Sequence, residues 1–307
     1  VFENWAAPIV LVMAALLLGW AVSRAGGVGT LLTQPSQFET VGDFWHVFVP
    51  SLTGMIGFWA TLSLNIPDFT RYGKSQRDQM LGQTLGLPTT MIAFSAMGVV
   101  ITSAMHEVLH GAVVIDQLWD PVLVLSHITS PAAPPGLEAP IIADGSTRMI
   151  VAVIALLGVA VATISVNIAA NVVSPANDFA NLAPRHISFK TGGVITGVLG
   201  IVMMPWKLMA SADAYIFNWL VGYSALLGPV AGIMICDYFV IRDKTLDVPD
   251  LYRLEGRYPK WNPVALVALV VGVLPNVPGF LHATHVVEAP PGFFDDLYVY
   301  AWFTGFL

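Results

Sequence analysis

The stretch Ala162-Thr-Ile-Ser-Val-Asn167-Ile-Ala-Ala-Asn171-Val-Val-Ser174-Pro-Ala-Asn-Asp178 decides the fold. It ends an apolar run, Met149 to Val173, that contains no charged residue. About 20 apolar residues suffice to span the hydrocarbon core of a bilayer. Asn167, Asn171, Ser174 and Asp178 follow one another at offsets of 0, 4, 7 and 11. On an ideal helix those positions share one face. Amides are costly in a membrane unless partnered, so this stripe faces other helices, a cavity or a ligand. Each Asn offers both a donor and an acceptor, which suits a small ligand edged with N–H and C=O groups. Interhelical hydrogen bonding is the competing use of the same residues.

Composition agrees with a membrane protein. The chain is 56% hydrophobic and 11% charged, with a mean hydropathy of +0.72; soluble domains carry about 25% charged residues. The single cysteine, Cys236, lies in an apolar run and reads as a packing residue. One cysteine allows neither a disulfide framework nor a cysteine zinc site. No basic segment precedes the first apolar run, so no signal peptide is read. Both ends of the chain read as cut, as in a fragment of a longer, transporter-sized protein.

The uncharged runs place spans at about 6–23, 47–67, 84–105, 149–173, 191–206, 214–236 and 263–281, with a partial span at 297–307. They are too long and too unpatterned for strands, and the class is all-α, polytopic and membrane-embedded. Ten of the thirteen Lys and Arg residues lie after the second span (Arg71, Lys74, Arg77), the fourth (Arg185, Lys190) and the sixth (Arg242, Lys244, Arg253, Arg257, Lys260). The positive-inside rule puts these loops and the first residue in the cytoplasm, and every second loop outside. The outer loop 106–148 includes Val113–Leu125, an apolar piece too short to span, read as a surface or re-entrant helix. Gly54, Gly57 and Gly228-Pro229 interrupt spans, either as breaks that open backbone to a central site or, the favoured reading for each alone, as residues simply common in membrane helices; Pro67 reads as the end of the second span.

Other patterns compete for function. Gly57-Phe58-Trp59 lies mid-span, where an aromatic can stack on a planar ring or simply pack. Asp68 and Arg71 can pair at the inner end of that span. His106-Glu107-Val-Leu-His110 matches a zinc-hydrolase pattern, which needs both histidines on one helical face and a third ligand. It raises the alternative of an intramembrane zinc protease. A non-transporting substrate sensor is a further alternative. No phosphate-binding glycine loop and no basic stripe for nucleic acid occur.

Four segments resemble the nucleobase:cation symporter-1 family, the allantoin, hydantoin, uracil and cytosine permeases. They are Gly57–Tyr72, Ile168–Asp178, Pro184–Gly193 and Gly228–Tyr238. The resemblance implies a leucine-transporter-like inverted-repeat bundle, beginning here at the family's fifth helix and containing the second repeat and flanking helices. It implies a non-enzymatic permease of the cell membrane that imports a small ureide or nucleobase by alternating access, with no cofactor. Allantoin is the first expectation and uracil the second. On this resemblance Asn171 matches the family's substrate-binding Asn and Asn167 a neighbouring polar position. Trp59, or Phe58 by register, matches the stacking aromatic, and Gly57 offers a backbone group. The sodium-site positions read Ala162, Ser165 and Val166. Valine cannot ligate a hard cation, which leaves the coupling ion as H+ or Na+. Oligomeric state is not legible.

Overall fold

The computed structural model describes residues 2–208, 218–253, 255–258, 261–288 and 290–307. All regular structure among them is helical. In chain order the helices are α1 (Phe2–Ala25), α2 (Val41–Thr70), α3 (Gln76–Val108), α4 (Ile115–Leu118), α5 (Pro121–Ile128) and α6 (Gly145–Asn167). A π turn, Ile168–Val173, joins α6 to α7 (Ser174–Leu182). Then come α8 (Phe189–Val202), α9 (Pro205–Leu208), α10 (Val221–Ile235), α11 (Val248–Leu251), α12 (Pro263–Val273), α13 (Val277–Ala283), α14 (Phe293–Val299) and α15 (Ala301–Phe306). Six helices are long and apolar enough to cross a membrane, and α2 makes a seventh if its bent halves count as one. Residues 214–217 of the expected sixth span lie outside the described residues; its described part runs Asn218–Ile241.

The chain divides into two compact units, residues 1–37 with 70–193 and residues 38–69 with 194–307. In the first, α1 packs on α3 and α6. Ala21, Ala104, Met105 and Leu109 form a core with Val113, Leu118, Val124 and Ile128 from the α4–α5 segment. The apolar piece 113–125 therefore folds as part of this core. Asp120 starts α5 by accepting the Val122 N–H at 2.8 Å, with Pro121 in the first turn. Asp144 likewise caps α6, accepting the Thr147 N–H at 2.6 Å. Gly29 has φ of 84°, and a Cβ there would stand 2.3 Å from the Ser103 carbonyl oxygen. Both its backbone angle and its close contact require glycine.

In the second unit, α2 runs through Gly54, Gly57 and Pro67 to Thr70. It bends by 47° between Val41–Leu62 and Leu64–Thr70. The helix thus continues past Pro67 to Thr70, with its bend one turn before the proline. A proline ring clashes with the carbonyl four residues back, which here belongs to residue 63. At Gly228-Pro229 there is no break: α10 continues through both. A Cβ on Gly228 would lie 2.4 Å from the Trp302 carbonyl oxygen, and one on Gly232 would lie 2.3 Å from that of Phe306. Two glycines four apart let α10 and α15 touch along their backbones. Cys236, expected to pack, is exposed.

Candidate functional site

The π turn carries Asn171 at its centre. Such turns insert an extra residue into a helix and recur at functional sites. Across it, the Asn171 Nδ2 donates to Asn167 Oδ1 at 2.8 Å, and both side chains are exposed. One donor and one acceptor are thereby used within the pair. What remains is the Asn171 carbonyl as acceptor, with the Asn167 NH2 and one Asn171 N–H as donors. The continuous stripe expected from an ideal helix is divided, because Ser174 is fully buried while Asp178 is exposed.

Ala162, Ser165 and Val166 lie on α6 in the same unit. Ala162 lines an apolar cavity of about 640 Å³ with Met13, Phe94, Ile154 and Thr163. Ser165 is half-buried, and Val166 is 65% exposed.

Gly57, Phe58 and Trp59 belong to the second unit. The Phe58 and Trp59 rings meet edge to face, 5.4 Å between centroids. Phe58 is exposed and Trp59 half-buried. The buried Trp59 indole N–H has no hydrogen-bond partner among the described residues. Gly57 is buried where α2 crosses the residues around Ser224; a Cβ would meet the Ser224 Oγ at 2.0 Å and the Leu220 carbonyl oxygen at 2.6 Å. The Ser224 hydroxyl lies 2.8 Å from both the Thr53 and Leu220 carbonyl oxygens. The Thr53 hydroxyl donates to the Val299 carbonyl at 2.7 Å. This Thr53–Ser224–Val299 network was not foreseen. Its partners lie more than 170 residues apart along the chain, and no local pattern marks them.

The zinc reading is overturned by backbone geometry. Helix α3 ends at Val108, and His110 has φ of 51° in the turn beyond it. The two histidines therefore do not share a helical face. Glu107 accepts a hydrogen bond from the Thr30 hydroxyl at 2.9 Å. No group of three metal-ligating side chains occurs among the described residues.

Long apolar helices, glycine-mediated crossings and an exposed amide pair within a span define a multi-pass helical membrane protein. The chain belongs to the family of permeases for cytosine/purines, uracil, thiamine and allantoin, whose model matches residues 1–305. It is 41% identical to the purine-uracil permease NCS1 of Arabidopsis thaliana, over 99% of this chain and 48% of that protein. It is 40% identical to the allantoin permease of Bacillus subtilis, over 100% of this chain and 56% of the relative. The chain thus spans about half the length of the curated relatives it matches. Among solved structures it resembles Mhp1, a nucleobase-cation-symport-1 family transporter in a closed conformation with bromovinylhydantoin bound. The TM-score is 0.61 at 23% identity, covering 98% of this chain and 59% of that one. That likeness carries the fold, the leucine-transporter-like bundle anticipated above. The named relatives are permeases rather than enzymes, and the chain is a multi-pass protein of the cell membrane.

Proposed function

We propose that this chain is part of a secondary active permease that imports a small planar ureide or nucleobase by alternating access, coupled to a cation. The observation that carries the reading is the Asn167–Asn171 pair on the π turn. Its internal bond leaves the Asn171 carbonyl as an acceptor and the Asn167 NH2 as a donor. That acceptor and donor complement an N–H next to a C=O, the edge of a cyclic ureide or of a lactam nucleobase. Two relatives with about 40% identity are named for such compounds. Allantoin is the first candidate and uracil the second.

In this reading Trp59 stacks on the ring, with Phe58 its neighbour in the same aromatic pair and Gly57 supplying backbone. Asn171 and Asn167 read the amide edge. Val166 occupies a position where the family resemblance implies an oxygen ligand for sodium. Valine supplies none, which favours proton coupling over coupling through Ala162, Ser165 and Val166. The chain is one transporter domain with its first residue in the cytoplasm.

The test is uptake of labelled allantoin, uracil and hydantoin by cells expressing the full-length protein, with sodium and external pH varied. Saturable uptake of one compound, lost in Asn171→Ala, is the expected result. Absence of uptake for all three, in protein shown to reach the membrane, would overturn the substrate class. Dependence on sodium, with no effect of collapsing the proton gradient, would overturn proton coupling.

A further inference from the structure

At the end of α13 the His282 Nδ1 lies 2.7 Å from Asp295 Oδ1, in the first turn of α14. The other carboxylate oxygen of Asp295 accepts the Gly292 N–H at 2.7 Å. One side chain therefore fastens the connecting loop and both helices. The two partners are 19% and 27% exposed, so water reaches the pair. They line a cavity of about 560 Å³ together with His285, Glu288 and Tyr298. Residues 284–296 contain no Lys or Arg, and the orientation read from the basic loops puts this segment outside.

The pair is tied to α2 within the same unit. A Cβ on Gly279 would stand 2.3 Å from the Tyr298 Cβ, so α13 and α14 have no slack between them. The last residue of α14, Val299, accepts the Thr53 hydroxyl. Thr53 precedes Gly57 by one turn and Trp59 by six residues on α2. Any change in how α14 is held therefore reaches the outer half of the helix that carries Trp59.

We propose that His282 and Asp295 form an external proton-binding site that tunes transport through α2. Protonation of His282 places a full positive charge against a carboxylate that is already ionised, turning a hydrogen bond with one charged partner into an ion pair. The clamp on α14 tightens as external pH falls. The Gly292 N–H, and then His282, hold the Asp295 carboxyl below the ordinary carboxylate range. Aspartate therefore stays ionised, and histidine is the side-chain type whose charge change falls between about pH 5 and 8. The other titratable groups on the surrounding elements are His285 and Glu288 on the loop, Asp296 and Tyr298 on α14, Tyr223 on α10, and Asp43 and His46 on the outer half of α2.

The effect on transport rests on the permease reading, so the test has two readouts on the full-length protein. The first is amide hydrogen exchange over 293–300, corrected for intrinsic rate, at about pH 5.5 and pH 8. Wild-type protein should be about threefold better protected at the lower pH, while His282→Gln and His282→Arg should each lose that difference. His282→Arg, permanently charged, should remain at the well-protected level, which a merely structural role would not produce. His285→Gln should keep the wild-type response. The second readout is uptake against external pH, whose dependence should flatten in both His282 variants. Flat exchange in wild type, a response that survives His282→Gln, or one that disappears with His285→Gln would overturn the clamp. So would unchanged uptake profiles in both His282 variants. Uptake absent from every protein, with the exchange result intact, would sink the permease reading and leave the proton site standing.

Discussion

Asn171 donates its amide hydrogen to Asn167 at 2.8 Å, four residues back across a π turn. Each amide thereby fixes the other's orientation. A free Asn can present either its carbonyl or its NH2 by rotating about a broad terminal torsion; this pair cannot do so without breaking its bond.

The two substitutions should therefore differ in degree and kind. On the proposed reading, Asn171→Ala removes the acceptor that meets the ligand and should weaken substrate binding about a hundredfold. Asn167→Ala leaves Asn171 in place but unoriented, and should weaken binding about tenfold. Competition binding on the full-length protein would measure both. Equal, negligible losses would mean that the pair is interhelical glue.

The glycine crossings give a stability prediction with an internal control. Gly57→Ala would place a methyl 2.6 Å from the Leu220 carbonyl oxygen, and Gly228→Ala one 2.4 Å from that of Trp302. Backbone cannot retreat as a side-chain tip does, so each change should cost about 1–3 kcal/mol. Gly197 has nothing within 4 Å of a built Cβ, and Gly197→Ala should stay within about 0.5 kcal/mol of wild type. Thermal unfolding in one detergent would rank the three. Identical midpoints would show that the crossings open freely.

These contacts also mark where reading the chain alone succeeds and fails. The long apolar helices and the Asn167–Asn171 spacing are local properties, carried by consecutive residues. Gly228-Pro229 looks like a break because its partner, Trp302, is remote in the chain; only the packed structure turns an apparent defect into a contact surface. The His106–His110 pattern fails for a local reason: the helix stops at Val108, between the two histidines. The π turn at Ile168–Val173 has no composition of its own, and the burial of Ser174 depends on packing that the spacing does not show. Nor was the His282–Asp295 pair, thirteen residues apart across a proline-containing loop.

The Asp144 cap gives a pH dependence whose sign follows from its partners. The Thr147 hydroxyl, and then the Thr147 backbone N–H, lower the carboxyl from its ordinary value. A depressed folded value means that the stabilisation is complete above the unfolded value, near about pH 3.9. It is lost as pH falls through the lower folded value. Exchange of the first-turn amides of α6 should accelerate over that interval, beyond the intrinsic rate, in wild type. Asn also caps helices, so Asp144→Asn should keep the turn closed and lose the pH response. A variant that responds like wild type would place the titrating group elsewhere.

Pro67 offers the sharpest test of how α2 acquires its bend. If the ring's clash with the carbonyl of residue 63 is the cause, Pro67→Ala restores both the space and the missing N–H donor. The 47° angle between Val41–Leu62 and Leu64–Thr70 should then relax. At about 1.5 Å rise per residue, straightening lengthens the path from Trp45 to Phe69 by about 2 Å. Both residues are exposed, so spin labels at these two positions, in a Cys236→Ser background, would report the change by pulsed electron resonance. A longer mean distance with reduced uptake would make the bend part of the transport machinery. An unchanged distance would assign the bend to packing around Gly57 and Thr53, with Pro67 merely tolerated at a kink that its surroundings impose.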